Sequence, residues 1–274
     1  MVDPTLARRA SGRLIAAALL LLPVPLREGV AGEVSARTVT EMLFKYRPGA
    51  GEVPDFSNND ISSLDLSEVD FKAARLVKAD LFGADLSRSN LKGANLTGAR
   101  LDRAVITQTD FSHADLSGVS MMRPTIFTTL QSDRRESPSF RGAKLQGARL
   151  TGSFDGTDFS GAHLAGLSFG PHDPRADISS FPRNFCRRCN FTDANLRDSD
   201  LNDASFVSAR FVRADLSGAS LVGTNLSGAD LSFADLTGAN LTGADLDGTI
   251  LVEVKGLDRV IGLSLAVNAE RAIR

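Results

Sequence analysis

The sequence predicts an all-β solenoid, a chain that turns a corner every five residues and stacks its short extended sides into a rod. Three observations predict it. From Phe191 to Leu251 every fifth residue is Leu or Phe, thirteen in succession. Two residues before each of these centres stands Ala in nine cases, and Cys, Ser or Thr in the others. Immediately before the centre stands Asp or Asn in nine of the thirteen. Composition agrees, because a chain with 16 Phe and 24 Gly but no Trp uses one local solution repeatedly rather than a varied core.

A period of five excludes the regular backbones. On a helix, five steps of about 100° carry each Leu about 140° from the last, so no apolar stripe forms. On a flat strand an odd spacing throws successive Leu residues to opposite faces. A short extended stretch followed by a turn buries the whole set. Within that stretch Ala and the Leu two residues later share the inner face, and the Asp or Asn between them points out. The two remaining residues, usually Ser or Thr and then Gly, suit a corner. By this reading Ala234 faces a narrow interior, while Asp235 is solvated and dispensable.

The same period runs through fifteen centres from Phe56 to Ile126, resumes at Phe140, Leu145 and Leu150, then slips by one residue to Phe154, Phe159, Leu164 and Phe169. With the later thirteen this makes 35 repeats. The pattern, clearest in Ala229-Asp230-Leu231 and Ala234-Asp235-Leu236, resembles the pentapeptide-repeat family, whose motif is small–Asp/Asn–Leu/Phe–X–X. The resemblance covers residues 55–252. It implies a right-handed, four-sided parallel β-helix with four repeats per coil, hence nearly nine coils, with short helical caps at both ends.

An open solenoid end invites pairing with other chains unless it is covered. Residues 37–54 read as the N-terminal cap, with Thr38 and Glu41 as a capping box for a helix over 38–46. In residues 253–274, Leu257, Val260, Ile261 and Leu265 recur at helical offsets, which predicts one or two short helices closing the other end. The resemblance adds an alternative, since some members of the family dimerise through their C-terminal ends. Two segments, 127–139 and 170–188, interrupt the repeat.

Residues 1–36 read as a secretory signal: Arg8, Arg9 and Arg13, an apolar run from Leu14 to Leu22, then Pro23 and Pro25, with cleavage expected after Ala31 or Ala36. Nine apolar residues are too few for a hydrocarbon core that needs about 20, so the mature chain is expected to have no membrane span. Export places the protein in the bacterial periplasm or outside the cell. Formal net charge is −2; the leader holds four of the 31 basic and three of the 33 acidic residues, so its removal leaves −3. No whole-molecule field draws such a chain to nucleic acid. Residues 72–103 carry seven basic and three acidic side chains, whereas 212–250 carry one and five.

Little in the sequence carries catalytic chemistry, and no cofactor or metal is expected. Cys186 and Cys189 form a C-x-x-C pair, which serves redox chemistry near a βαβ unit or zinc with two further ligands. No βαβ pattern is visible and only His172 lies nearby, so both are read as small inward residues, as thiols or as a local disulfide. Gly166-Leu167-Ser168-Phe169-Gly170 matches a hydrolase elbow, but Ser168 falls in an outward slot of the repeat and no His follows His172. His113 and His163 fall on the surface, and Asp215 and Asp235 become neighbours through the repeat itself. Specific binding is expected on the segment from Gly170 to Arg188, whose His172, Arg175, Arg183, Arg187 and Arg188 suit carboxylate or phosphate groups. The functional expectation is a non-enzymatic structural or protein-interaction scaffold with an unidentified protein partner. The resemblance offers a second reading, since some family members mimic duplex DNA and shield DNA gyrase, which requires an acidic surface and a cytoplasmic location. A third is a thiol redox protein using Cys186 and Cys189.

Overall fold

The computed structural model describes residues 34–47, 52–71, 73–126, 134–170 and 184–274. Gly32–Arg274 form one compact unit, distinct from Met1–Ala31. That unit is a right-handed, four-sided parallel β-helix. Each side contributes one bridging residue to a ladder that climbs the rod. The first ladder runs Asp55, Arg75, Asn95, Asp115, Lys144, His163, Asn195, Asp215, Asp235, Lys255. Its ten members mark ten coils, a rod of about 45 Å at about 4.8 Å per coil. The pairing offset is 20 residues where the repeat is regular, 29 across the first interruption (Asp115↔Lys144), 19 where the register slips (Lys144↔His163) and 32 across the second (His163↔Asn195).

The side chains at each centre and two positions before it fill the axis, and nearly all are below 3% exposed. On the fourth face Phe111, Phe140, Phe159, Phe191 and Phe211 form a column whose rings lie 4.8 to 5.0 Å apart and within 10° of parallel. Ring separation matches the ladder spacing, so one residue type repeated at one slot stacks without strain.

In a regular repeat with Asp or Asn before the centre, all five backbone N–H groups find acceptors, which explains the remaining sequence preferences. In Leu216–Ser220, the Leu216 and Gly218 N–H groups donate to the Asp235 and Thr237 carbonyls of the next coil, at 2.8 and 3.0 Å. Ala219 donates back across the corner to Leu216, and Ser220 to Ser199 of the coil before. The fifth, on Ser217, donates to Asp215 Oδ1 at 3.0 Å. The Asp or Asn before each centre is therefore a cap for the corner N–H, and not merely a solvated side chain as its outward position suggests. The third corner residue takes a left-handed φ, +67° at Gly218, which a turn of this kind requires and glycine adopts freely. At three slots that lack Asp or Asn, a corner residue one coil below substitutes. Asp102 caps Met122, Asp155 caps Arg187 and Asn202 caps Val222.

Both ends differ from expectation. The N-terminal helix α1 spans Ala36–Lys45 and buries Val39 and Leu43 over the first coil. It starts two residues before the expected 38, because Ser35 and not Thr38 is the N-cap, its Oγ accepting from the Thr38 N–H at 3.1 Å; Glu41 pairs with Arg37 instead of closing a capping box. At the other end the short helices are three 3-10 turns, Leu257–Arg259, Leu263–Leu265 and Ala269–Arg271. They are the corners of a tenth coil. Lys255, Ile261, Val267 and Ile273 pair with Asp235, Asn240, Asp245 and Ile250, so each side has lengthened from five residues to six. The helical offsets arise from this spacing of six with a 3-10 corner.

Candidate functional site: a disulfide-pinned corner beside an interrupted coil

The most irregular part of the rod lies on its third face, in the fifth and sixth coils. The slip of register centres on Gly152, whose φ of +113° only glycine tolerates and whose added Cβ would stand 3.1 Å from Arg123 Cα. One coil on, Asn184 is buried where the chain re-enters the ladder. Its Oδ1 accepts from the Gly152 N–H at 2.8 Å, and its Nδ2 donates to the carbonyls of Phe169 and Gly170 at 2.6 and 3.2 Å. This one amide serves backbone groups that the interruption would otherwise orphan.

Phe185 through Arg188 then form an ordinary side and corner, so the interruption is shorter than the 170–188 read from sequence. Cys186 takes the centre slot that Leu or Phe fills elsewhere, between Phe154 and Phe206, and thereby hides the repeat from a Leu/Phe pattern. Its sulfur is bonded to Cys189 across the corner with S–S 2.09 Å, and both residues are at most 1% exposed. A sulfur enclosed this fully is inaccessible to an attacking thiolate unless the coil opens. Arg187, set in the middle of the disulfide loop, is not a free binding arginine. Its guanidinium reaches Asp155 Oδ2 through Nε at 2.8 Å and Nη2 at 2.5 Å, while its N–H donates to Oδ1 at 2.7 Å. That hydrogen bond, partly offset by desolvation, raises the Arg187 pKa further, and the guanidinium carbon sits 5.2 Å from the Phe185 ring centre. Arg188 is exposed at the left-handed corner position. His172, Arg175 and Arg183 lie outside the described residues.

Other candidates fall where the repeat sends them. Ser168 bridges Arg149 and Asp200 on the second ladder, with no His beside it in that ladder. His113 is a corner residue at φ +58°, and His163 stands outward on the first ladder. Asp215 and Asp235 are ladder neighbours, each engaged in capping its own corner. Among the described residues no group of His, Cys, Asp and Glu is placed to hold a metal ion, and no helix is long and apolar enough to cross a membrane.

A stacking of near-identical coils with this spacing has sequence counterparts. The family model for pentapeptide repeats matches eight copies, over residues 55–88, 84–121, 189–228 and 214–251. A pentapeptide repeat protein from the cyanobacterium Cyanothece 51142, Rfr23, is 31% identical over 90% of its own length and 42% of this chain. The chain belongs to the pentapeptide-repeat family. Within that family it is also similar to HetL of the cyanobacterium Nostoc, at 25% identity over 82% of this chain and 95% of that one. A pentapeptide repeat protein of the Arabidopsis thaliana thylakoid lumen is 29% identical over 47% and 76%. The TM-scores are 0.18, 0.30 and 0.24 in that order, so kinship rests on sequence and on the ladder itself, not on superposition. No curated protein sequence matches significantly. The stretches of this pentapeptide-repeat chain left unmatched are 1–54, 122–188 and 252–274, which take in both interruptions and the tenth coil.

Proposed function

We propose that the chain is a non-enzymatic interaction scaffold, exported to the periplasm, that joins a second copy end to end through its tenth coil. The contrast between the two ends carries this reading. The N-terminal end is closed by α1, whereas nothing lies over the tenth coil among the described residues. Its inner Leu257, Val260, Leu263, Ala269 and Ala272 are only half-buried and, together with Asp258, Ser264, Glu270 and Arg274, line a hollow of about 610 Å³. Of its four outward positions, elsewhere mostly polar, one is Lys255 and three are Ile261, Val267 and Ile273, each of the three more than half exposed. Ladder edges and apolar surface left open in this way are what a second chain covers.

Export is supported by the basic and apolar leader and by a disulfide, which persists in oxidising compartments. The Ser35 cap favours cleavage after Ala31, since cleavage after Ala36 would remove it. Size-exclusion chromatography with light scattering of residues 32–274 tests the assembly. A dimer is expected, converted to monomer by Val267→Glu with Ile273→Glu while circular dichroism is unchanged; a monomeric parent at high micromolar concentration rules the pairing out. Intact mass of protein from its native host should give a chain beginning at Gly32, and full-length cytoplasmic protein would remove the export reading.

A further inference from the structure

The described ladders run through three consecutive residues at only one place, between β1 (Ser120–Met122) and β2 (Arg149–Thr151). There the pairing continues from the second face into the corner that leads to the third. Arg100 and Arg149 stand on the second ladder on either side of Ser120, two steps or about 10 Å apart. Arg103 and Arg123 occupy this same corner in successive coils, one step of about 4.8 Å apart. Both are exposed and both adopt a left-handed backbone, φ +59° and +51°. Beneath them lies Phe82, with the guanidinium carbons of Arg100 and Arg103 at 4.3 and 5.8 Å from its ring centre.

The carboxylates in the neighbourhood are committed. Asp102 is buried and accepts from Ser120 Oγ at 2.7 Å, the Met122 N–H at 2.9 Å and Arg100 Nε at 3.2 Å. Asp80 pairs with Arg100 at 3.1 Å. Among the described residues neither Arg103 nor Arg123 has a carboxylate partner. Gly152, in the coil above Arg123, puts no side chain over that corner.

We propose that this patch is a docking surface for an extended acidic segment of a partner protein. Arg103 and Arg123, beside an Arg100 already held by Asp80 and Asp102, leave a local excess of positive charge on a chain whose total is −2. Two like charges stacked at ladder spacing repel each other, and an anion held between them relieves that repulsion. A guanidinium fork donates two parallel hydrogen bonds to a carboxylate, which a point charge does not. A nucleic acid fits less well, because Arg100 already lies against the Phe82 ring that a base would need for stacking. The three-residue pairing of β1 with β2 also supplies what regular coils lack, a feature found at one height of the described rod and not at every height. The inference rests on the scaffold reading but not on end-to-end pairing, since the patch spans the second to fifth coils and not the tenth.

Fluorescence anisotropy with a labelled polyglutamate peptide tests it on the chain from residue 32. The parent should bind, with affinity falling as salt is added. Arg103→Glu with Arg123→Glu should weaken binding at least tenfold, while Arg197→Glu in the seventh coil should leave it unchanged. Both substitutions suit the fold, since Glu68 and Glu253 already occupy left-handed corners. The neutral pair Arg103→Gln with Arg123→Gln, which places at both corners the residue type that Gln108 already holds at one, gives the same reading should the reversed pair not fold. The proposal is overturned by absence of binding, by equal binding in the double variants, or by tighter binding of an oligothymidylate than of the peptide. Light scattering run alongside reports end-to-end pairing separately.

Discussion

Replacing Asp235 by Ala removes two interactions at once. Oδ1 accepts the Thr237 N–H at 2.9 Å, and Oδ2 receives Lys255 Nζ at 2.5 Å from the tenth coil. Partial desolvation pushes the carboxyl pKa up, but hydrogen bonds from Lys255 and from the Thr237 hydroxyl and N–H, with the Lys255 charge, outweigh it and lower the value from 3.8 to about 2. At about 1.4 kcal/mol per unit this depression corresponds to at most roughly 2.5 kcal/mol of stability at neutral pH. The Asp235 side chain is 23% exposed but its partner Lys255 is 75% exposed, so solvent screening reduces the figure. A loss of about 1 to 1.5 kcal/mol is expected, in the range of lost helix caps. The sign is fixed because the folded pKa lies below the unfolded one. The contribution is complete above about pH 4 and disappears as pH falls toward 2. Urea melts of parent, Asp235→Ala and Asp235→Asn, at pH 7 and at steps down to about pH 2.5, measure it. Asparagine caps natively at 240, so that variant should lose only the ion pair, about 0.5 kcal/mol. Equal midpoints for parent and Asp235→Ala at pH 7, or a difference that does not shrink with acid, would refute the capping role.

Two further outcomes follow from the packing. Ala234 is fully buried in the narrow slot of the wall, so Ala234→Leu should lower stability by about 1 to 3 kcal/mol in the same urea melts through forced displacement of the coil. Replacing both Cys186 and Cys189 by Ala should cost at least about 2 kcal/mol, from loop-closure entropy of the short disulfide loop and from the cavity left at the Cys186 centre. In the native parent these sulfurs should resist dithiothreitol and alkylation until denaturant is added. Rapid labelling of the folded protein, followed by mass spectrometry, would show that the coil opens.

The five-residue rule is legible because it is local. Leu or Phe at each centre, Ala two before and a corner after them dictate which atoms face the axis, and no distant residue is needed to decide it. The capping role of Asp and Asn is equally local, visible in Asp followed two residues later by Ser or Thr, as at Asp215 and Ser217, but an outward position taken alone suggests only solvation. The Cys186 side escapes a Leu/Phe pattern because a small residue occupies a slot defined by large ones. The tenth coil looks helical from offsets that a spacing of six also produces, and only the exposed edge of the ninth coil, offering ladder partners at Asp235, Asn240, Asp245 and Ile250, decides between them. The arginine patch is not legible at all. Arg123 stacks on Arg103 through an offset of 20 residues, and Arg149 comes to the neighbouring face one coil on through the offset of 29 that pairs it with Ser120. The repeat by itself determines the section of the rod; which distinctive side chains share one height depends on the lengths of its interruptions, and those are settled only when each coil pairs with the next.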